Sequence, residues 1–352
     1  MLWERAEELR EVGAGLLLTA NAGRMLRWLG LFEAAAALGR TVRQWKILDG
    51  RGRALQTFCF GEDDASLSIA RSELQQILQR QLPPASIRLG CEAVSLVSDS
   101  ARGVVNVTAA NGERCEAGIV VGADGGRSAV RAAVFGASEP RIHGYVGWRG
   151  LVDLVPDAWS DGRITESWAD GCRFGIAPVN AERSYWYATE NLTLDDAPPR
   201  EHWKSHLLTR FRAWHHPIAE MIEATPDERI LLSSIADHAS PPPRHTGPVT
   251  LLGDAAHLMT PNLGQGAAMA LEDACVLADY FAREGCTASA LRRYELVRRQ
   301  RTRAVNWISR QVGRLIQLEH PALCRLRDMA LRMTPNALGR LTLAPIFDYR
   351  AL

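Results

Sequence analysis

The chain has 352 residues, with 41 Lys and Arg against 40 Asp and Glu, and 47% of it is hydrophobic, a balance that excludes disordered and fibrous classes. A formal net charge of +1 creates no global field for nucleic acid or an anionic membrane, so neither is expected as a partner. Seven cysteines without a Cys-x-x-Cys spacing exclude a disulfide framework and a thiolate zinc site; no metal is expected, and the reducing cytoplasm is the expected compartment.

No apolar run approaches the roughly 20 residues of a membrane helix. Glu4, Arg5, Glu7, Glu8 and Arg10 crowd the positions a signal peptide would need for its apolar stretch. Length alone suggests two lobes at about 100–200 residues each.

In chain order, Met1-Leu2-Trp3-Glu4 reads as the tail of a strand ending in an acid. Gly13 and Gly15 mark a turn, Leu16 to Leu18 an apolar stretch, and Asn21 an N-cap for a helix carrying Met25, Leu26 and Leu29 on one face. Residues 41–69 read as short strands with turns at Asp49-Gly50 and at 61–64. Arg71 to Leu82 spaces Leu74, Ile77, Leu78 and Leu82 as a helix, stopped by Pro83-Pro84. Strands are predicted over 87–97, 104–109 and 119–121, with a hairpin turn at Asn111-Gly112.

From Tyr145 to Thr193 the aromatic density rises and the pattern alternates, predicting an antiparallel sheet with one face able to receive a flat ligand. Helices follow near 202–214 and 218–222, then a strand over 230–236 and a stiff Pro241-Pro242-Pro243 connection. Val249 to Leu252 is a buried strand, followed by helices over 266–281 and 288–318. The second carries an arginine-rich stretch over 292–303, expected to be exposed and laced with acids such as Glu295.

Two segments carry chemistry. In Leu251-Leu252-Gly253-Asp254-Ala255-Ala256-His257-Leu258-Met259-Thr260-Pro261-Asn262-Leu263-Gly264-Gln265-Gly266-Ala267, a buried strand delivers a carboxylate at its carboxyl end, where open α/β sheets place ligands. The loop then feeds a helix start whose unobstructed amides can face a polarised oxygen. In Val120-Val121-Gly122-Ala123-Asp124-Gly125-Gly126-Arg127-Ser128, a second strand ends in Gly-x-Asp-Gly. That segment suits a phosphate-bearing cofactor equally with a tight turn capped by Asp and Ser.

His202 and His206 share a helical face, but no Glu completes a zinc motif, so a solvated face is expected; His257 is expected to satisfy backbone groups. Neither a Gly-x-Ser-x-Gly elbow nor a Walker loop is present.

In this order, and separated by an aromatic-rich sheet, the two segments resemble the Asp-Gly and Gly-Asp motifs of single-component FAD-dependent aromatic hydroxylases, the family of para-hydroxybenzoate, salicylate and urate hydroxylases. The likeness extends over nearly the whole chain, through Glu4-Arg5, residues 12–15, Ile69 to Leu74, Trp148-Arg149-Gly150 and Asp237. It implies an α/β fold: a doubly wound FAD/NAD(P)-binding sheet interleaved with an antiparallel substrate sheet, then C-terminal helices. The expected FAD-binding part spans 1–142 and 245–300, the substrate sheet 143–244 and a helical segment 301–352.

The same resemblance implies hydroxylation of an aromatic or heteroaromatic small molecule by NAD(P)H and O2, through a hydroperoxide at flavin C4a. Glu4 would bond the adenosine ribose, with Ala14 nearby; Arg71 would reach the pyrophosphate, Asp124 would support the cofactor, and Asp254 would bond the ribityl chain. Pro261, Gly264, Gln265, Gly266, Ala267 and Ala268 would surround the flavin ring. Tyr145, Trp148 and Arg149 are the substrate-facing candidates, and no residue stands out as an obligatory acid or base. A homodimer stays open.

The family's opening strand, Gly-x-Gly-x-x-Gly turn and helix have no counterpart ahead of Glu4. The nucleotide lobe is therefore expected to lack one βαβ unit of roughly 30 residues, with a start downstream of the original one. The rival expectation is a catalytically silent remnant that binds a small molecule or a protein.

Overall fold

The computed structural model describes residues 1–9, 15–61, 66–99, 101–159, 161–238 and 245–352. Ala14 and the glycine turn before it, the acidic turn at 62–64 and the triple proline lie outside them.

Seven strands form the sheet around which the molecule is arranged. They are β1 (Gln44–Asp49), β2 (Ala54–Cys59), β3 (Arg141–Val152), β4 (Arg163–Ala169), β5 (Cys172–Pro178), β6 (Ser184–Glu190) and β7 (Leu231–Asp237). Their order is β7-β3-β6-β5-β4-β1-β2. All neighbours run antiparallel except β1 and β4. Turn residues set the breaks: Asp170 and Gly171 both adopt positive φ between β4 and β5, which lets those strands fold directly back on each other.

Register decides what each face carries, because side chains alternate across a strand. Ile47, Glu166, Gly175, Tyr187, Arg149 and Leu231 form one row across six strands. A Cβ on Gly175 would come within 2.1 Å of Tyr187 Cζ, so only glycine lets that ring lie across β5 beside Glu166. On the opposite face Val146, Trp148, Phe174 and Trp186 pack against the helices Trp203–Phe211 and Ile218–Ala224. Phe174 stacks on Trp186 with ring centroids 5.3 Å apart, and Trp148 meets Trp203 edge-on at 5.6 Å. Burying such rings is the largest apolar contribution this sheet can make.

Two departures from the expected boundaries follow from this register. Residues 44–59, expected within the FAD-binding part, pair into the seven-stranded sheet through β1 and β4. The division at residue 300 falls inside a single unbroken helix, Ala288–Ile316, since nothing in its sequence breaks the helix there. The last two helices, Pro321–Met333 and Asn336–Phe347, cover β2, where Gln56 Nε2 donates to the carbonyls of Leu331 and Thr334 at 3.2 and 2.9 Å.

Outside that sheet the fold is α/β with short mixed sheets. Its parallel ladders are short: Leu2–Trp3 pairs with Ile87–Arg88, and Val120–Gly122 with Val249–Leu251. A separate antiparallel meander runs Ala93–Asp99, Val104–Ala109 and Arg114–Ala117. Thr19, not Asn21, occupies the N-cap position of the helix Ala20–Trp28. Asn21 is instead fully buried inside that helix, for a reason that lies in the site. Among the described residues no helix is long and apolar enough to cross a membrane.

Candidate functional site

A cavity of about 500 Å³ lies between the alternating face of the sheet and the loop that follows Val249–Leu251, a size suited to a small-molecule site. Asp254, Pro261, Gly264, Gly266 and Ala267 form its loop side, and Arg71, the first residue of the helix Arg71–Gln79, also lines it. The sheet contributes Arg149, Glu166, Arg173, Tyr185 and Tyr187, and Trp45 closes one wall.

Local geometry explains the loop. Gly253 takes φ 59° and Gly264 φ 63°, positive values that side chains resist, so the chain turns sharply ahead of the Asp254–His257 helical turn and again after Pro261–Leu263. A Cβ on Gly266 would face Asp254 Oδ1 at 3.9 Å, in the cavity wall. Gly266 also begins a 19-residue helix, whose first amides have no carbonyl within the helix to bond. Asp254 is exposed at the cavity, and its carboxylate accepts no hydrogen bond among those the described residues make.

Behind the loop runs a buried polar network. Asp273 accepts from the Gly253 amide at 2.9 Å and from Arg298 Nε at 2.7 Å, and meets His257 Nε2 at 2.7 Å. Glu272 accepts from Arg298, from Asn21 Nδ2 at 2.6 Å and from Arg301 at 3.3 Å. Asn21 also donates to Gln265 Oε1 at 3.0 Å, and Gln265 Nε2 donates to Thr19 at 2.7 Å. These bonds tie the loop to the helices behind it, and they correct two expectations. Arg298 belongs to the arginine stretch yet is fully buried, because two carboxylates pair with it; the neighbouring acids push its pKa up against the effect of burial. His257 bonds a carboxylate, not backbone groups. Gln265 turns its side chain into the network instead of the cavity.

The other candidates are placed as follows. Asp124 accepts from the Ser128 hydroxyl and from the Val130 amide at 3.0 Å, and Ser128 caps the helix Ala129–Phe135. The capped-turn alternative thus describes that segment, which Arg131 fastens to the Ala255 carbonyl at 2.9 Å. Glu4 lies beyond the end of Leu2–Trp3, where its carboxylate accepts from the Ala6 amide at 2.9 Å, outside the cavity. Ala268 is buried in the core beside the loop.

Of the three substrate-facing candidates, Arg149 lines the cavity and donates to Ser233 at 3.1 Å. Trp148 contributes to the lining, but its ring belongs to the opposite face; adjacent residues of a strand cannot share a face. Tyr145 is buried, its oxygen accepting from Asn262 Nδ2 at 3.0 Å, so it braces the loop from behind. Burial pushes its pKa up.

Sequence reasoning missed Glu166, Arg173, Tyr187 and Trp45. Glu166 and Arg173 are 2% and 1% exposed, with Nη1 of the arginine 3.7 Å from the carboxylate. Glu166 accepts from the Tyr187 hydroxyl and from the Trp168 indole. Burial and the adjacent Glu166 raise the Tyr187 pKa well above the usual phenol value, which keeps its proton on. Two charged residues within aromatic strands were the signal that could have found this cluster.

The residues present fit a flavin. Asp254 offers free acceptors where ribityl hydroxyls would lie, the side-chain-free Gly264 and Gly266 leave room for a flat ring, and a helix start faces the place where negative charge would develop.

Comparison with known proteins agrees. The family described as "FAD binding domain" matches residues 2–307. The chain is 36% identical over 337 residues to the aurachin C monooxygenase/isomerase of Stigmatella aurantiaca, covering 94% of this chain and 87% of that protein. It is 32% identical over 357 residues to the 2-heptyl-3-hydroxy-4(1H)-quinolone synthase of Pseudomonas aeruginosa, covering 97% and 89%. The crystal structure of Klebsiella pneumoniae HpxO complexed with FAD and uric acid superposes with a TM-score of 0.90 at 26% identity, covering 98% of this chain and 89% of that one.

Proposed function

We infer the activity from one premise: the chain belongs to the FAD-binding flavoprotein monooxygenases. It is an FAD-dependent monooxygenase of aromatic or heteroaromatic rings. The finer reading is that it takes NAD(P)H as reductant and O2 as oxidant and hydroxylates a small planar molecule held on the alternating face of the seven-stranded sheet. One observation carries this: a single cavity has Asp254 and the glycine loop on one side and Arg149, Glu166, Arg173, Tyr185 and Tyr187 on the other.

When bound, flavin supplies the redox chemistry, passing electrons from the nicotinamide and activating dioxygen. The chain's own residues bind, orient and exclude water. Asp254 accepts from cofactor hydroxyls, which fixes the cofactor along its length. The amides at the start of Gly266–Glu284 stabilise negative charge by roughly 0.3–1 kcal/mol, more where water is absent. Arg71 places a positive charge at the cavity edge. Leu17, Trp45, Ile164 and Met259 supply an apolar lining that keeps water from the reacting ring.

The test supplies FAD, NAD(P)H, a panel of hydroxylated and nitrogen-containing rings, and isotopically heavy dioxygen. One heavy oxygen atom in a ring product, with nicotinamide oxidation stimulated by that ring, is the expected result. Absence of ring-stimulated oxidation across the panel at saturating FAD overturns the reading.

A further inference from the structure

The loop on one side of the cavity is joined to the sheet on the other through a buried side chain. Asn262, 3% exposed, lies in the turn Pro261–Leu263, and Pro261 and Gly264 beside it line the cavity. Its Nδ2 donates to the Tyr145 oxygen on β3 and to the Ser309 carbonyl of the helix Ala288–Ile316, both at 3.0 Å. Both protons of that nitrogen are thereby engaged, on partners outside the cavity lining. The Ser309 hydroxyl donates in turn to the Thr260 carbonyl at 2.7 Å. Nearer Asp254, a backbone bond from His238 to the Leu258 carbonyl at 3.1 Å holds the other part of the loop. The helix leaves room for the Asn262 junction at a single residue. A Cβ on Gly313 would collide with Asn262 Nδ2 and come within 3.2 Å of the Tyr145 oxygen, so a side chain there displaces the amide. Glycine is otherwise a poor residue for the interior of a 29-residue helix.

Resting on the monooxygenase reading above, we propose that the junction of Asn262 with Tyr145 and Gly313 sets how completely nicotinamide oxidation is coupled to ring hydroxylation. The loop carries the cofactor and β3 belongs to the sheet that carries the ring, so a bond between them fixes the separation of the two cavity walls. Tyr145 and Gly313 are positioning residues that act through Asn262. In the coupled reaction a ring C–H becomes C–OH with one atom of dioxygen. The hydride equivalent of the nicotinamide and one proton take the other atom to water. With the ring out of reach, the same hydride equivalent and proton reduce dioxygen to hydrogen peroxide. Reacting atoms must lie within roughly 3–3.5 Å, and a misplacement of about 1 Å can cost about a hundredfold in rate. A small shift of one wall therefore changes the partition between the two outcomes.

The experiment compares FAD-loaded native protein with Gly313→Ala and Tyr145→Phe, using whichever hydroxylated or nitrogen-containing ring yields oxygen-labelled product. Product and hydrogen peroxide are each measured per nicotinamide oxidised. In both variants product per nicotinamide is expected to fall about threefold or more, with peroxide making up the difference, while the KM for the ring stays within about twofold. Flavin content is expected to match the native protein. Visible circular dichroism of the bound FAD, recorded without ring or nicotinamide, is expected to change in both variants, since it reports the surroundings of the flavin independently of turnover. Tyr145→Phe removes one bond and adds no atom, so it carries the test where Gly313→Ala fails to fold. Native coupling with unchanged dichroism in Tyr145→Phe overturns the proposal. So does a rise in ring KM at unchanged kcat, which would make Tyr145 a ligand contact. Native protein that labels no ring defeats the underlying function, whereas coupled turnover equal in all three proteins defeats this proposal alone.

Discussion

Replacing Arg298 by methionine removes the cation at the centre of the network behind the loop. Its guanidinium pairs with Glu272 and with Asp273, and all three side chains are fully buried. Breaking a buried ion cluster on one side costs about 3–5 kcal/mol, because the remaining charge is left without compensation. Here the remaining acids keep partners. Glu272 retains Asn21 at 2.6 Å and Arg301 at 3.3 Å, and Asp273 retains His257 at 2.7 Å and the Gly253 amide at 2.9 Å. The expected loss is therefore at the lower end, about 3 kcal/mol. Urea unfolding measures it at saturating FAD, since a ligand bound only to the folded state adds to apparent stability. An unchanged slope shows that the same surface unfolds. Because Asp273 and Gln265 hold the loop through this network, FAD affinity should fall with stability. A loss below about 1 kcal/mol refutes the assignment of the cluster as the loop's anchor.

Three further outcomes are expected. Trp148→Ala should destabilise by about 3–5 kcal/mol, yet leave ring-ligand affinity in the folded protein within about twofold, because its ring faces the helices; a selective loss of ligand binding would show that it faces the cavity. Burial pushes the Cys172 thiol up to about 12, so iodoacetamide at pH 8 should label exposed Cys59 and Cys286 while sparing Cys172, as read by peptide mass spectrometry. Burial alone would raise the Asp49 pKa, but hydrogen bonds from Arg53 and from the Arg51 amide outweigh it and hold the carboxyl below its usual value. A depressed folded pKa gives stability that is fully present above about pH 4 and is lost as acid protonates the group. The advantage of the native protein over Asp49→Asn in urea midpoint should therefore shrink from pH 6 to pH 3; a gap that widens in acid contradicts the sign.

What the sequence showed and what it hid divide along the range of the interactions. The strand, Gly253-Asp254 turn, glycine loop and following helix are local, so their sequence string announces them, and Asp254, Pro261, Gly264, Gly266 and Ala267 do meet in one cavity wall. The aromatic alternation foretold a sheet with a ligand-sized face. Assigning Trp148 to that face conflicted with its own parity, since 145 and 149 share a side that 148 cannot. Asn21 and Arg298 were misread because their partners are distant in sequence: Asn21 meets Gln265 and Glu272 across 244 and 251 positions. Charge on a helix suggested solvent, and only the fold brings Glu272 and Asp273 against Arg298. Residues 44–59 joined the seven-stranded sheet by a parallel pairing with β4 more than 100 residues away, which no local pattern marks.

The central claim is that Asp254 holds the flavin at the cavity. Titrating FAD into the native protein and into Asp254→Ala, with flavin fluorescence as the signal, tests it most directly. Loss of a charge-assisted hydrogen bond, worth roughly 1.5–3 kcal/mol, predicts affinity about tenfold to a hundredfold weaker in the variant while its unfolding curve without FAD is preserved. Equal affinity in the two proteins would contradict the claim.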